Sequence, residues 1–186
     1  SICAVKDGHS AATTMGYSTL DGLVMGTRCG SIDPGVLLAL QRQRGLSLDE
    51  IEALLYRGSG LLAVSGVSSD MRELERADND ASRFAIEHFC YWAARHAGSL
   101  TVALGGVETV AFTAGIGSGS ARVRAGIVAR LQWLGIELDA DLNARNAEII
   151  SAKRSRCPVW VVSADEERAI LRHVDDVLRS DPGRRS

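Results

Sequence analysis

Hydrophobic positions follow two rhythms: a short alternation near the start, then three- and four-residue spacings through most of the chain. Residues 2–5 read as a strand, Asp7-Gly8 as a hairpin turn and residues 11–15 as the returning strand, since Asp-Gly accepts the positive φ of a two-residue turn. An opening on a strand leads us to expect a fragment of a longer protein. Asp33-Pro34 starts a helix, with aspartate as N-cap and proline at the first helical position; Val36, Leu37 and Leu40 form its expected apolar face and Gly45 stops it. Ser47 and Glu50 have capping-box spacing and open a second helix with Ile51, Leu54 and Leu55 inward. Gly58, Gly60 and the Ser/Gly run over 65–69 predict a loop region.

A long helix is predicted over 80–96, where Ala81, Ala85, Phe89, Trp92 and His96 share a face. Residues 108–114 read as a buried strand through Val110, Phe112 and Thr113, and 115–119 as a glycine loop. Ser118 or Ser120 then caps a helix with the stripe Val123, Ile127, Leu131 and Leu134, closed by Gly135. A second buried strand over 159–162 precedes a last helix from about Asp165, with Ile170, Val174, Val177 and Leu178 inward; residues from Ser180 form a polar tail. Strands interleaved with helices make this an α/β domain.

Composition narrows the function. The 186 residues carry 21 basic and 23 acidic side chains, a net charge of −2, and lack the basic surplus expected of a protein that binds nucleic acid through bulk charge. With 46% hydrophobic residues the chain has enough apolar surface for a core. Residues 99–117 are too interrupted, by Gly105-Gly106 and Glu108, for a membrane span. Residues 1–6 lack the charged and apolar regions of a signal peptide. Cys3, Cys29, Cys90 and Cys157 lie far apart without a C-x-x-C pair, which argues against a disulfide scaffold or zinc site and points to the reducing cytoplasm. The four histidines are isolated, and we assign them no role.

Four places could carry chemistry. Gly115-Ile116-Gly117-Ser118-Gly119 joins a strand to a helix, where glycines let backbone N–H groups approach phosphate and the helix start adds about half a positive charge. A tight ligand-free turn reads equally well. A dinucleotide-binding version would recruit Glu137 or Asp139 for a ribose, although more than a hundred residues precede the glycines. Asp70-Met71-Arg72 is either a nucleotide-facing loop or a capped helix start. Arg28, between Gly26 and Gly30, offers a guanidinium to phosphoryl oxygens or is a surface arginine on a turn. Glu166, at the end of a predicted strand, either helps to place Mg²⁺ or completes a capping box with Ser163.

Together the segments Thr14-Met15-Gly16-Tyr17, Leu20-Asp21-Gly22-Leu23-Val24-Met25-Gly26-Thr27-Arg28-Cys29-Gly30-Ser31-Ile32-Asp33-Pro34 and Ser59-Gly60-Leu61-Leu62 resemble the acetate/propionate kinase family of the actin-like ATPase superfamily. Ser65-Gly66-Val67-Ser68-Ser69-Asp70-Met71-Arg72, Phe112-Thr113-Ala114-Gly115-Ile116-Gly117 and Asp165-Glu166-Glu167 continue the resemblance in family order, over essentially the whole chain and onto the family's carboxyl-terminal half. The resemblance implies an actin-like, ribonuclease-H-like α/β domain with a mixed sheet and flanking helices. Residues 1–180 are then a nucleotide-binding carboxyl-terminal domain, 181–186 a tail, and the amino-terminal domain is absent. It also implies ATP-dependent phosphorylation of a short-chain carboxylate, with ATP/ADP and Mg²⁺ as cofactors and a homodimer formed through this half. By the resemblance Arg28 stabilises the transferring phosphoryl group, and Asp70, Met71 and Arg72 lie on the adenosine side. Gly115, Ile116, Gly117, Ser118 and Gly119 lie on the phosphate side, and Glu166 is magnesium-associated. One departure is local: where the family usually continues Gly-Ile-Gly with Glu-Asn-Ser, this chain has Ser118-Gly119-Ser120, leaving backbone contacts in place of two side chains.

Overall fold

A computed structural model describes residues 1–180, except the side chains of Glu166 and Ser180; the predicted tail at 181–186 lies outside the described residues. Strand β1 (Cys3–Lys6) pairs antiparallel with β2 (His9–Thr13) across Asp7-Gly8, which take φ of 52° and 76° as the two-residue turn requires. Helix α1 (Pro34–Arg44) starts where predicted, the Asp33 side chain accepting from the Gly35 N–H and Gly45 ending the helix in the left-handed region. Its predicted apolar face is not buried. Val36, Leu37, Leu38 and Leu40 wrap round the helix instead of forming one stripe, and Val36 is 44% exposed. The capping box opens α2 (Leu48–Arg57) as expected; Ile51 is buried, Leu55 is half-buried and Leu54 stays exposed.

Part of the predicted loop region is helical: α3 (Gly60–Ser65) precedes the turn to α4 (Met71–Ala77). Helix α5 (Asp80–Leu104) outruns its predicted end at His96, because Gly98 is carried within the helix and Gly105, at φ 72°, is the residue that ends it. Its buried stripe is also displaced. Ser82, Ala85, Ile86, Phe89, Cys90, Ala93 and Ala94 face inward, while Ala81 is exposed and Trp92 and His96 are half-buried. Helices α3, α4 and α7 and the hairpin all pack on α5, so several neighbours, and not one partner, set which face is covered.

Strand β3 (Val110–Phe112) pairs parallel with β4 (Val159–Val161), shorter and less buried than the predicted strand over 108–114. The predicted glycine loop is α6 (Ala114–Gly119), a helical turn; Ser120 then caps α7 (Ala121–Ala129) by accepting from the Val123 N–H. A 3₁₀ turn (Gln132–Leu134) ends at Gly135, and α8 (Ala140–Ala144) and α9 (Glu166–Ser180) complete the chain. The core centres on Leu61, Leu74, Ile86, Val123, Ile150 and Val159. An apolar cavity of about 730 Å³ lies among Ala4 of β1, Phe89 and Ala93 of α5, Val110 and Phe112 of β3, and Ile127 of α7. The stripe predicted inward on α9 is exposed, Ile170 at 61% and Leu178 at 56%. Amphipathicity fixes which face of a helix is apolar but not whether anything covers it. Among the described residues no helix is long and apolar enough to cross a membrane.

Candidate functional site

Arg28 stands on a loop fixed almost entirely by backbone. Met25 accepts from the Leu61 N–H (2.9 Å) and Gly26 from Leu62 (2.9 Å). Thr27 accepts from Ser59 (3.0 Å), the Cys29 N–H donates to Leu55 (3.2 Å), and the Thr27 hydroxyl donates to the Tyr56 carbonyl (2.8 Å). Further back, Asp21 accepts from the Ser31 hydroxyl (2.5 Å) and the Gly22 N–H (2.7 Å), and these two bonds hold its carboxyl below the usual range. The Arg28 guanidinium lies 5.8 Å over the Tyr56 ring and 3.5 Å from the Thr19 carbonyl. Among the described residues no carboxylate pairs with it.

Asp70 caps α4, accepting from the Arg72 N–H (2.8 Å) and pairing with the Arg72 guanidinium (2.6 Å). The Arg72 side chain and then its N–H draw the Asp70 carboxyl down to about 2. Because the folded value lies below the ordinary 3.8, this contribution to stability is complete above pH 4 and disappears as the pH falls toward 2. Urea titrations between pH 2 and 5 should show Asp70→Asn losing less stability across that window than the parent chain; equal losses would refute the linkage. Met71 is buried in the core, so its side chain is committed to packing.

In the glycine turn, a Cβ at Gly115 or Gly119 would meet nothing within 4 Å, whereas Gly117 packs on Phe112. The turn therefore has open flanks that a phosphate group could fill. Ser118 spends its hydroxyl inside the turn, donating to the Ala114 carbonyl at 2.6 Å. Ala114 takes φ 58°, a conformation that costs a residue with a Cβ about 1–2 kcal/mol. Ala114→Gly should release that strain and, after the added freedom of the unfolded glycine, stabilise the chain by roughly 0.5–1 kcal/mol in thermal unfolding. A destabilised variant would show that Ala114 is not strained.

These pieces form a contiguous set. A Cβ at Gly26 would stand 2.9 Å from the Ser69 carbonyl, so the Arg28 loop abuts the residue preceding Asp70. From α4, Glu75 accepts a hydrogen bond from the hydroxyl of Ser120, the residue after Gly119, and Asp78 pairs with Arg122 at 3.2 Å. Since β3 and β4 run parallel, the glycine turn and Glu166 leave the same, carboxyl, end of the pair, which is where open α/β sheets bind ligands. The Glu166 side chain lies outside the described residues. Glu137 and Asp139, weighed as ribose ligands, are engaged elsewhere: Glu137 pairs with Arg154 (2.5 Å) and Asp139 caps α8.

One residue at this site carries no motif signal. Arg124 is fully buried, and burial pulls its pKa below the ordinary arginine value. It donates to the Gly117 carbonyl (3.0 Å), the Ser118 carbonyl (2.9 Å), Asn143 Oδ1 (2.8 Å), the Asn143 carbonyl (2.9 Å) and Asn146 Oδ1 (2.5 Å). The available sequence signal was an arginine within the apolar helical stripe, next to Val123 and in register with Val128.

Residues 1–172 match the acetokinase family. The chain belongs to that family. It is 49% identical over 173 residues to acetate kinase of Methylocella silvestris, covering 93% of this chain and 43% of the relative. Against acetate kinase of Nitrobacter hamburgensis it is 47% identical, covering 96% and 44%. The crystal structure of Porphyromonas gingivalis acetate kinase superposes with a TM-score of 0.88 at 34% identity, over 95% of this chain and 46% of that one. A propionate kinase from Francisella tularensis gives 0.84 at 36% identity, over 89% and 43%. The chain thus has the actin-like ATPase fold and spans less than half the length of the relatives it matches.

Proposed function

We propose that residues 1–180 are the carboxyl-terminal, nucleotide-binding half of a cytoplasmic kinase that phosphorylates a short-chain carboxylate with ATP. An amino-terminal domain would supply the rest of the acceptor site, and a second copy would complete a homodimer. What supports the reading most is the run of contacts that links the Arg28 loop to the Asp70–Arg72 helix start and α4 to the residue after the glycine turn, at the carboxyl end of parallel strands.

In this reaction a carboxylate oxygen attacks the γ-phosphorus, the bond to the β,γ-bridging oxygen breaks, and ADP leaves with that electron pair. Arg28 carries no ion pair among the described residues, and its planar fork fits the equatorial oxygens of the transferring group. The α4 start and the Arg72 side chain, 79% exposed, face the adenosine side. Gly115 to Gly119 form the phosphate side, and the backbone N–H groups at the start of α6, which have no helical partner, are the donors it offers in place of the family's two side chains at Ser118 and Gly119.

Mg²⁺ is held by one or two carboxylates plus phosphates and water. Glu166 would contribute such a carboxylate, and the ion would neutralise charge shared by the β- and γ-phosphates.

Calorimetric titration with Mg-ADP tests the reading. One-to-one binding, weakened in Arg72→Ala, is the expected outcome; no binding by a folded chain overturns it. The loss of the family's two side chains at Ser118 and Gly119 favours a second reading, a nucleotide-binding or dimerisation module without catalysis. Acyl-phosphate formation on adding an amino-terminal half would exclude that alternative.

A further inference from the structure

Arginine has five N–H donors, and in Arg124 each one is used within a side chain that no solvent reaches. Two go to consecutive carbonyls of the glycine turn, Gly117 and Ser118, and three to the α8 region through Asn143 and Asn146. Asn143 is itself fixed, donating from Nδ2 to the Ala121 carbonyl at 2.9 Å. These carbonyls lie at the end of α6, so holding them fixes the last peptide groups of the short helix and, through its internal hydrogen bonds, the N–H groups at its start that have no helical partner.

A second observation is electrostatic. All five acceptors are neutral, and among the described residues no carboxylate lies within ion-pair reach of Arg124. A buried guanidinium is ordinarily matched by an acid, because an unmatched charge is costly to desolvate. Here the fold keeps the cation directly against the turn without one.

We propose that Arg124 is the positioning residue of the phosphate-side turn: it fixes the turn's peptide groups and leaves beneath them an uncompensated positive charge for the nucleotide's phosphates. This rests on the nucleotide reading above and assigns its phosphate selectivity to a residue beneath the turn. With Ser118-Gly119 contributing no charged or amide side chain, selectivity for phosphate over the bare nucleoside depends on backbone direction and on this charge.

The test compares Mg-ADP with adenosine, which lacks phosphates, on the parent chain, Arg124→Lys and Arg124→Met, with circular dichroism and thermal unfolding to identify folded samples. Arg124→Lys keeps the charge but not the five-donor fork, so it provides a folded arm if Arg124→Met collapses. In Arg124→Lys, Mg-ADP affinity should fall about tenfold, adenosine affinity should stay within twofold, and amide hydrogen exchange at Ser118 and Gly119 should accelerate. Arg124→Met, where folded, should lose more of the ADP-over-adenosine preference. Equal loss for both ligands, or unchanged exchange and ADP affinity in folded Arg124→Lys, overturns the proposal. A parent chain that binds neither ligand overturns the nucleotide reading, and this inference with it.

Discussion

Gly60→Ala should destabilise the chain by about 3 kcal/mol or more, through strain and collision acting at one atom. Gly60 sits at φ 64°, where an alanine costs about 1–2 kcal/mol. Its Cβ would stand 2.2 Å from the Met25 carbonyl and 2.9 Å from the backbone N and O of Arg28. Backbone cannot swing aside as a side chain does, and overpacking of this kind adds about 1–3 kcal/mol. The atoms displaced are those that seat the Arg28 loop on α3, so any relaxation comes at the expense of the Leu61-to-Met25 and Leu62-to-Gly26 bonds. Gly66→Ala is the matched control: φ is 62° but nothing lies within 4 Å, so only the conformational cost remains. Urea denaturation of both variants separates the two contributions. A Gly60→Ala loss no larger than that of Gly66→Ala would mean that the close approach is not a constraint.

Leu74→Ala should cost about 3 kcal/mol, within the 2–5 kcal/mol range for emptying a fully buried leucine site. Leu74 is 0% exposed and belongs to the core that α4 forms with α5. The same short helix carries Asp70 and Arg72 at its start and Glu75, which accepts from Ser120 beside the glycine turn. Losing its anchor therefore loosens both sides of the proposed nucleotide site together, and Mg-ADP binding should weaken along with stability. Leu171→Ala, at a residue of α9 that is 66% exposed, should change stability by no more than about 0.5 kcal/mol. Similar losses at both leucines would contradict the core assignment.

Local chemistry was legible where a few neighbouring residues decide the outcome. Asp33-Pro34, the Ser47–Glu50 capping box, the Asp7-Gly8 turn and the Ser120 cap all stand as their residue types require. The family was legible for a related reason, since the segment around Arg28 is one long, ordered motif whose glycines admit close backbone approach. The α5 stripe was misplaced because its covered face is chosen by α3, α4, α7 and the hairpin together, and Gly98 inside the helix gave no true stop. The apolar residues of α1 and α9 predicted burial that neither helix achieves.

The sequence by itself determined the capped helix starts, the tight turns and membership of the family, because these depend on backbone conformations and side-chain donors within a few residues. Only the tertiary structure decided that Met71 faces the core and that Glu75 reaches Ser120 from 45 residues away. It alone brought the five donors of Arg124 to acceptors on two separate elements. Burial and hydrogen-bond partnership are properties of what surrounds a residue, and the surroundings exist only once distant segments have packed.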